Sequence, residues 1–121
     1  MTSCETGAVA EPTAVVGEFN DAINRRDLDA LAALMTDDHV FTDAAGGHVD
    51  GKPSCLDAWR GFFVGYPDYR NVFTELTHDG GGVVTVRGHS TCSVPALDGP
   101  ARWRAVVVED RVASWHVTDD A

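Results

Sequence analysis

The chain has 121 residues, 44% of them apolar, and a formal charge of −10 from 19 Asp and Glu against nine Lys and Arg. That length suits one domain, and that apolar share excludes disorder throughout. So acidic a chain lacks the basic patch that nucleic acid or an anionic membrane surface requires, and no apolar run reaches the ~18–20 residues of a membrane span.

Residues 1–11 are small and polar, without periodicity, and read as a tail preceding one domain over 12–121. They show no basic region and no long apolar stretch. Cys4, Cys55 and Cys92 are an odd, widely spaced set without a C-x-x-C pair, so a reduced, cytoplasmic setting is expected. Pro12 and Thr13 open a helix whose apolar stripe is Val15, Val16, Phe19, Ala22 and Ile23, running to about Arg26. Asp27 is suited to cap a second helix, with Leu28, Leu31, Leu34 and Met35 inward and Thr36-Asp37-Asp38 at its end. His39–Asp43 reads as a short strand and Ala44–His48 as a loop. Gly51-Lys52-Pro53-Ser54 starts a third helix that buries Leu56, Trp59, Phe62 and Phe63 and stops at Gly65-Tyr66-Pro67-Asp68.

Strands are then expected over Tyr69–His78, Val83–Ser93, Ala101–Val108 and Arg111–Thr118. The turns are Asp79–Gly82 and Glu109-Asp110, with a loop over Val94–Pro100. Helices followed by an antiparallel meander indicate an α+β fold. In the long strand Val84, Val86, Gly88, Ser90 and Cys92 share one face. The face is apolar and then small, which suits either a pocket floor or close packing. Thr85, Arg87, His89, Thr91 and Ser93 form the polar face.

Several local patterns, in this order, resemble the SnoaL-like polyketide cyclase and ketosteroid isomerase branch of the nuclear transport factor 2-like superfamily. Asn24-Arg25-Arg26-Asp27-Leu28-Asp29 resembles an "N-x-x-D-L-D" corner. Tyr66-Pro67-Asp68-Tyr69-Arg70 resembles "F-P-D-L-R". Arg87-Gly88-His89-Ser90-Thr91 and Val108-Glu109-Asp110-Arg111-Val112 resemble a strand and the closing hairpin. The resemblance implies a cone-shaped α+β barrel, a curved, mostly antiparallel sheet around three N-terminal helices with one deep pocket. It also implies a homodimer through the convex sheet face.

By that resemblance Asp43 is the general base of a cofactor-independent proton transfer on an apolar or polycyclic carbonyl compound, in an isomerisation, cyclisation or dehydration. A carboxylate can do this where apolar walls raise its pKa. Asp43 can equally cap the following loop. The oxyanion-binding tyrosine of the isomerases is matched by Phe19, and its acidic partner by Arg104, whose guanidinium would stabilise negative charge or else pair with Asp43. The last-strand aspartate of the cyclases is matched by Val117, with Asp119 beyond it. Phe19, Phe41, Trp59, Phe63, Val86, Ser90 and Trp115 are the expected substrate-binding walls, with His116 and Trp103 outward; the opposite parity of the last strand would instead place His116 in the pocket as an acid or base. His39, Asp43 and His48 are the best metal-ligand group available, yet without a helical H-x-x-x-H pattern no metal and no cofactor are expected. Cys55, near a helix start, reads as a buried structural thiol. The alternatives are a binding or association module without chemistry, an epoxide hydrolase in which Asp43 activates water, and a structural dimer subunit.

Overall fold

A computed structural model describes residues 11–118. The elements are α1 (Pro12–Arg25), α2 (Leu28–Ala33), β1 (Met35–Thr42), β2 (His48–Asp50), α3 (Lys52–Gly65), β3 (Arg70–Gly80), β4 (Val83–Thr91), β5 (Gly99–Val108) and β6 (Arg111–Thr118), with a 3-10 turn at Pro95–Leu97. The strands form one six-stranded sheet in the order β2-β1-β6-β5-β4-β3. The fold is α+β, as expected, but the sheet stays open, with β2 and β3 as its edges, so it is not a closed barrel. The sheet is mostly antiparallel, and its parallel pair is β1 with β6.

Helix α1 ends where Arg26 takes a left-handed conformation, φ 57°. Its N–H and that of Asp27 return to the Ile23 and Ala22 carbonyls, the paired closure that stops a helix and turns the chain. Asp27 then caps α2 by accepting the Ala30 N–H at 3.0 Å. The second helix is shorter than its sequence suggests. Leu34 closes it, and Met35–Thr42 is strand. The cause is non-local: β6 lies alongside, Met35 pairs with Val112, and the Val112 N–H reaches the Leu34 carbonyl at 2.6 Å. A bulge between Met35 and Val40 absorbs the Thr36-Asp37-Asp38 stretch. Between the expected loop and α3, His48–Asp50 forms β2, which pairs with β1 through Phe41 and Val49.

Helix α1 packs on β3, β4, β5 and β6, while α3 packs on β1 and β2. The core between them holds Val15, Val16, Phe19, Ile23, Val84, Val86, Trp103, Val112 and Trp115, all essentially inaccessible. Gly88 packs against the next strand rather than flooring a pocket. A Cβ there would lie 2.0 Å from the Val72 carbonyl oxygen, so only hydrogen fits as β3 bulges past.

Candidate functional site

A cavity of about 610 Å³ opens between α3 and the sheet. Its walls come from one end of the sheet: the end of β1, the starts of β3 and β5, the ends of β4 and β6, and the inner stripe of α3. That stripe is Cys55, Ala58, Trp59 and Phe62, spaced three and four apart as one helix face requires. Aromatic rings lock the wall together. Phe41 meets Trp59 edge-on at 5.7 Å, Trp59 meets Phe62 at 5.7 Å, and Phe62 meets Tyr69 at 4.7 Å.

Of the expected binding residues, Phe41, Trp59, Ser90 and Trp115 line this cavity. Phe19, Val86 and Phe63 do not. Phe19 is fully buried behind Trp115, ring centroids 4.6 Å apart, and supports that wall from the core. Val86 lies under α1, which fills the inner face of the sheet at mid-strand. Phe63 is one position round the helix from Phe62 and packs on Trp59 instead, at 5.6 Å.

Asp43 lines the cavity at its rim and is exposed. It also caps the loop. Its Oδ1 accepts the Ala45 and Gly47 N–H groups, each at 2.9 Å, and its own N–H reaches the Gly47 carbonyl at 2.8 Å. Oδ2 has no hydrogen-bond partner among the described residues.

Arg104 is not beside Asp43. It is exposed on the outer sheet face, directly opposite Thr85 on β4 and His116 on β6. The error is one of register. Trp115 pairs with Ala105, so Trp115 facing inward forces Ala105 and Trp103 inward and Arg104 outward. Trp103, expected outward, is therefore a buried cavity wall, 5.0 Å from Phe73. His116 faces outward with Arg104. Val117, the residue matched by resemblance to the cyclases' last-strand aspartate, lines the cavity, and Asp119 lies outside the described residues.

The His39, Asp43 and His48 group does not assemble. His48 sits on an exposed strand beside Asp50, at 3.1 Å. His39 is buried, hydrogen-bonded through Nδ1 to the Val112 carbonyl at 2.6 Å, and stacked on Phe19. Burial pushes its imidazole below the usual histidine value, although the Val112 bond and nearby Asp38 act the other way. Burial likewise raises the Cys55 thiol, whose Sγ–H donates to the Val49 carbonyl at 3.3 Å, so it stays protonated on the cavity wall. Cys92 is half-buried and donates to Asp68 outside the cavity.

Ser90, expected on the cavity wall, sits in a polar group with two residues the sequence reading did not select, Tyr69 and Asn71. Ser90 donates its hydroxyl hydrogen to Asn71 Oδ1 at 2.9 Å, and the Tyr69 hydroxyl lies 3.1 Å from Ser90 Oγ. The C-terminal end of α1 sets the position of Tyr69, just before β3, and of Asn71 within it. Arg26 donates to the Tyr69 carbonyl at 2.6 Å. Asn24 accepts the Asn71 N–H and donates to the Asn71 carbonyl, both at 2.9 Å. One signal was available: Tyr69 stands where the resembled "F-P-D-L-R" pattern has leucine.

Residues 16–120 match the family model described as a SnoaL-like domain. Comparison with curated proteins finds no match. Solved structures similar to this chain include a candidate polyketide cyclase from Sinorhizobium meliloti, at TM-score 0.78 and 21% identity over 90% of this chain and 100% of that one. An LEH-like epoxide hydrolase from M. tuberculosis is similar at TM-score 0.80 and 19% identity, over 96% and 83%. A candidate ketosteroid isomerase from Kribbella flavida is similar at TM-score 0.69 and 20% identity, over 91% and 78%. These structural likenesses carry the fold alone. With the family model spanning nearly the whole described fold, the chain belongs to the SnoaL-like family, within the nuclear transport factor 2-like superfamily.

Proposed function

We propose that this protein is a small enzyme that binds an apolar, ring-containing carbonyl compound in the cavity and moves a proton on it without a cofactor, with Asp43 as base. The observation that supports this most is the cavity itself. At about 610 Å³ it falls within the ~300–1,000 Å³ of small-molecule sites. Phe41, Trp59, Phe62, Trp103 and Trp115 wall it, and flat aromatic walls favour a ring by area and by stacking. Asp43 Oδ2, unpartnered at the rim, would take a proton from the carbon beside the carbonyl. The electron pair moves onto the carbonyl oxygen, and the proton returns at the same or another carbon.

Exchange in deuterium oxide tests the reading. Acetylnaphthalene, incubated with the protein and followed by proton NMR, is expected to lose its methyl signal faster than in buffer, and Asp43→Asn is expected to slow this at least tenfold. Exchange equal to buffer, or unaffected by Asp43→Asn, overturns the chemistry. A second reading, binding without catalysis, is favoured by one observation. Asp43 Oδ1 is already held by two backbone N–H groups and the carboxylate is exposed at the rim, the arrangement of a loop cap.

A further inference from the structure

We propose that Tyr69, backed by Ser90 and Asn71, is the residue that selects ligands by their carbonyl oxygen, donating a hydrogen bond to it from the cavity wall. This rests on the cavity being the ligand site. The argument is an inventory of hydrogens. Asp43 and Asp98 offer acceptors, and Asp98 Oδ1 already receives the Cys92 N–H at 3.0 Å. The Cys55 Sγ–H is directed to the Val49 and His39 carbonyls. The Thr118 hydroxyl donates to the Arg102 carbonyl at 3.0 Å. The Trp59 Nε1–H lacks a partner but is sealed from the cavity, without accessible surface. The Ser90 hydrogen is committed to Asn71 Oδ1.

Of the donors left on the wall, which also include the Asn71 amide and the Trp103 and Trp115 indole N–H groups, the Tyr69 hydroxyl is the one whose hydrogen can rotate to meet a ligand. Among the described residues its acceptor is Ser90 Oγ, at 3.1 Å, longer than the ~2.7–2.8 Å typical of an O–H···O bond. A carbonyl oxygen arriving along the aromatic wall is the better acceptor, and the hydroxyl can rotate toward it while Ser90 keeps its bond to Asn71. The phenol cannot swing away, because Phe62 packs against its ring at 4.7 Å and Arg26 holds its backbone. Burial also keeps the phenol protonated, shifting it above the usual tyrosine value, although Ser90 and Asn71 oppose the shift.

The test compares two probes of nearly the same shape, acetylnaphthalene and isopropenylnaphthalene, by quenching of tryptophan fluorescence. The protein is expected to bind the ketone about tenfold more tightly, the scale of one net hydrogen bond. Tyr69→Phe is expected to abolish that preference while leaving isopropenylnaphthalene affinity unchanged. An infrared measurement on the unaltered protein does not depend on the variant folding. The carbonyl stretch of bound acetylnaphthalene should fall below its frequency in hydrocarbon solvent. Equal binding of both probes, an unshifted stretch, or a preference that survives Tyr69→Phe overturns the inference and leaves the cavity as an apolar binding site. Binding of neither probe overturns the cavity reading and this inference with it.

Discussion

The two oxygens of Asp43 have different surroundings, and substitutions can separate them. Asparagine keeps an oxygen that accepts the Ala45 and Gly47 N–H groups, so Asp43→Asn should leave thermal stability nearly unchanged. Alanine removes both bonds from an exposed loop, and Asp43→Ala should cost about 1–2 kcal/mol by chemical denaturation. His39 gives a pH prediction. Its folded pKa is lowered by burial, below the ~6.5 of an unfolded histidine. Between those values the unfolded chain binds the extra proton, so stability is full above pH ~6.5 and is lost as pH falls toward the folded value. Urea denaturation at pH ~7.5 and ~5.5 should show that loss, and His39→Gln should flatten the slope. An unchanged slope would assign the acid sensitivity to other groups.

At the level of elements, the start of β3 depends on the end of α1 through bonds from the Asn24 and Arg26 side chains to its backbone. Asn24→Ala takes the partner of the Asn71 N–H and leaves the Asn71 carbonyl with Asn20 Nδ2, at 3.3 Å. It is expected to destabilise by about 1–3 kcal/mol and to loosen Tyr69 and Ser90, read as faster amide exchange at residues 69–72. The β3–β4 contact has no such slack at Gly88, where a Cβ would meet the Val72 carbonyl at 2.0 Å. Backbone must move, so Gly88→Ala is expected to cost about 3 kcal/mol or more, seen as a lowered denaturation midpoint.

For the whole molecule, a charge of −10 on 121 residues makes self-repulsion a standing cost of the compact state. Raising salt from ~0.01 M to ~0.1 M shortens the screening length from ~30 to ~10 Å, and the melting temperature should rise by a few degrees. The outer sheet face runs against this average. Arg87 and Arg102 lie directly opposite on neighbouring strands, with Arg104 beside them, and Arg87 has only a loose 3.9 Å contact with Glu75. A homodimer through that face would bring two such patches together, so its formation is predicted to strengthen with salt in sedimentation velocity. No helix among the described residues is long and apolar enough to cross a membrane.

What the amino-acid sequence determined by itself was local. Apolar spacing placed α1 and α3, Asp27 announced its cap, glycines marked the β3–β4 turn, and Arg111–Thr118 was legible as a strand because each of these depends on residues a few positions apart. Together with the family patterns, this was enough for the α+β class and for Asp43, Phe41, Trp59, Ser90 and Trp115 as residues of one end of the fold. Strand pairing decided the rest. Met35–Thr42 is strand because β6, more than 70 residues later, lies alongside it. Arg104 is outward and Trp103 inward because β5 and β6 meet in one register of two that differ by a single residue. Tyr69, Asn71 and Ser90 become one polar group only when β3 and β4 pair Asn71 with Ser90. Side-chain direction alternates with every residue of a strand, so a single step of register reverses which face meets the cavity. Only the packed sheet fixes that step.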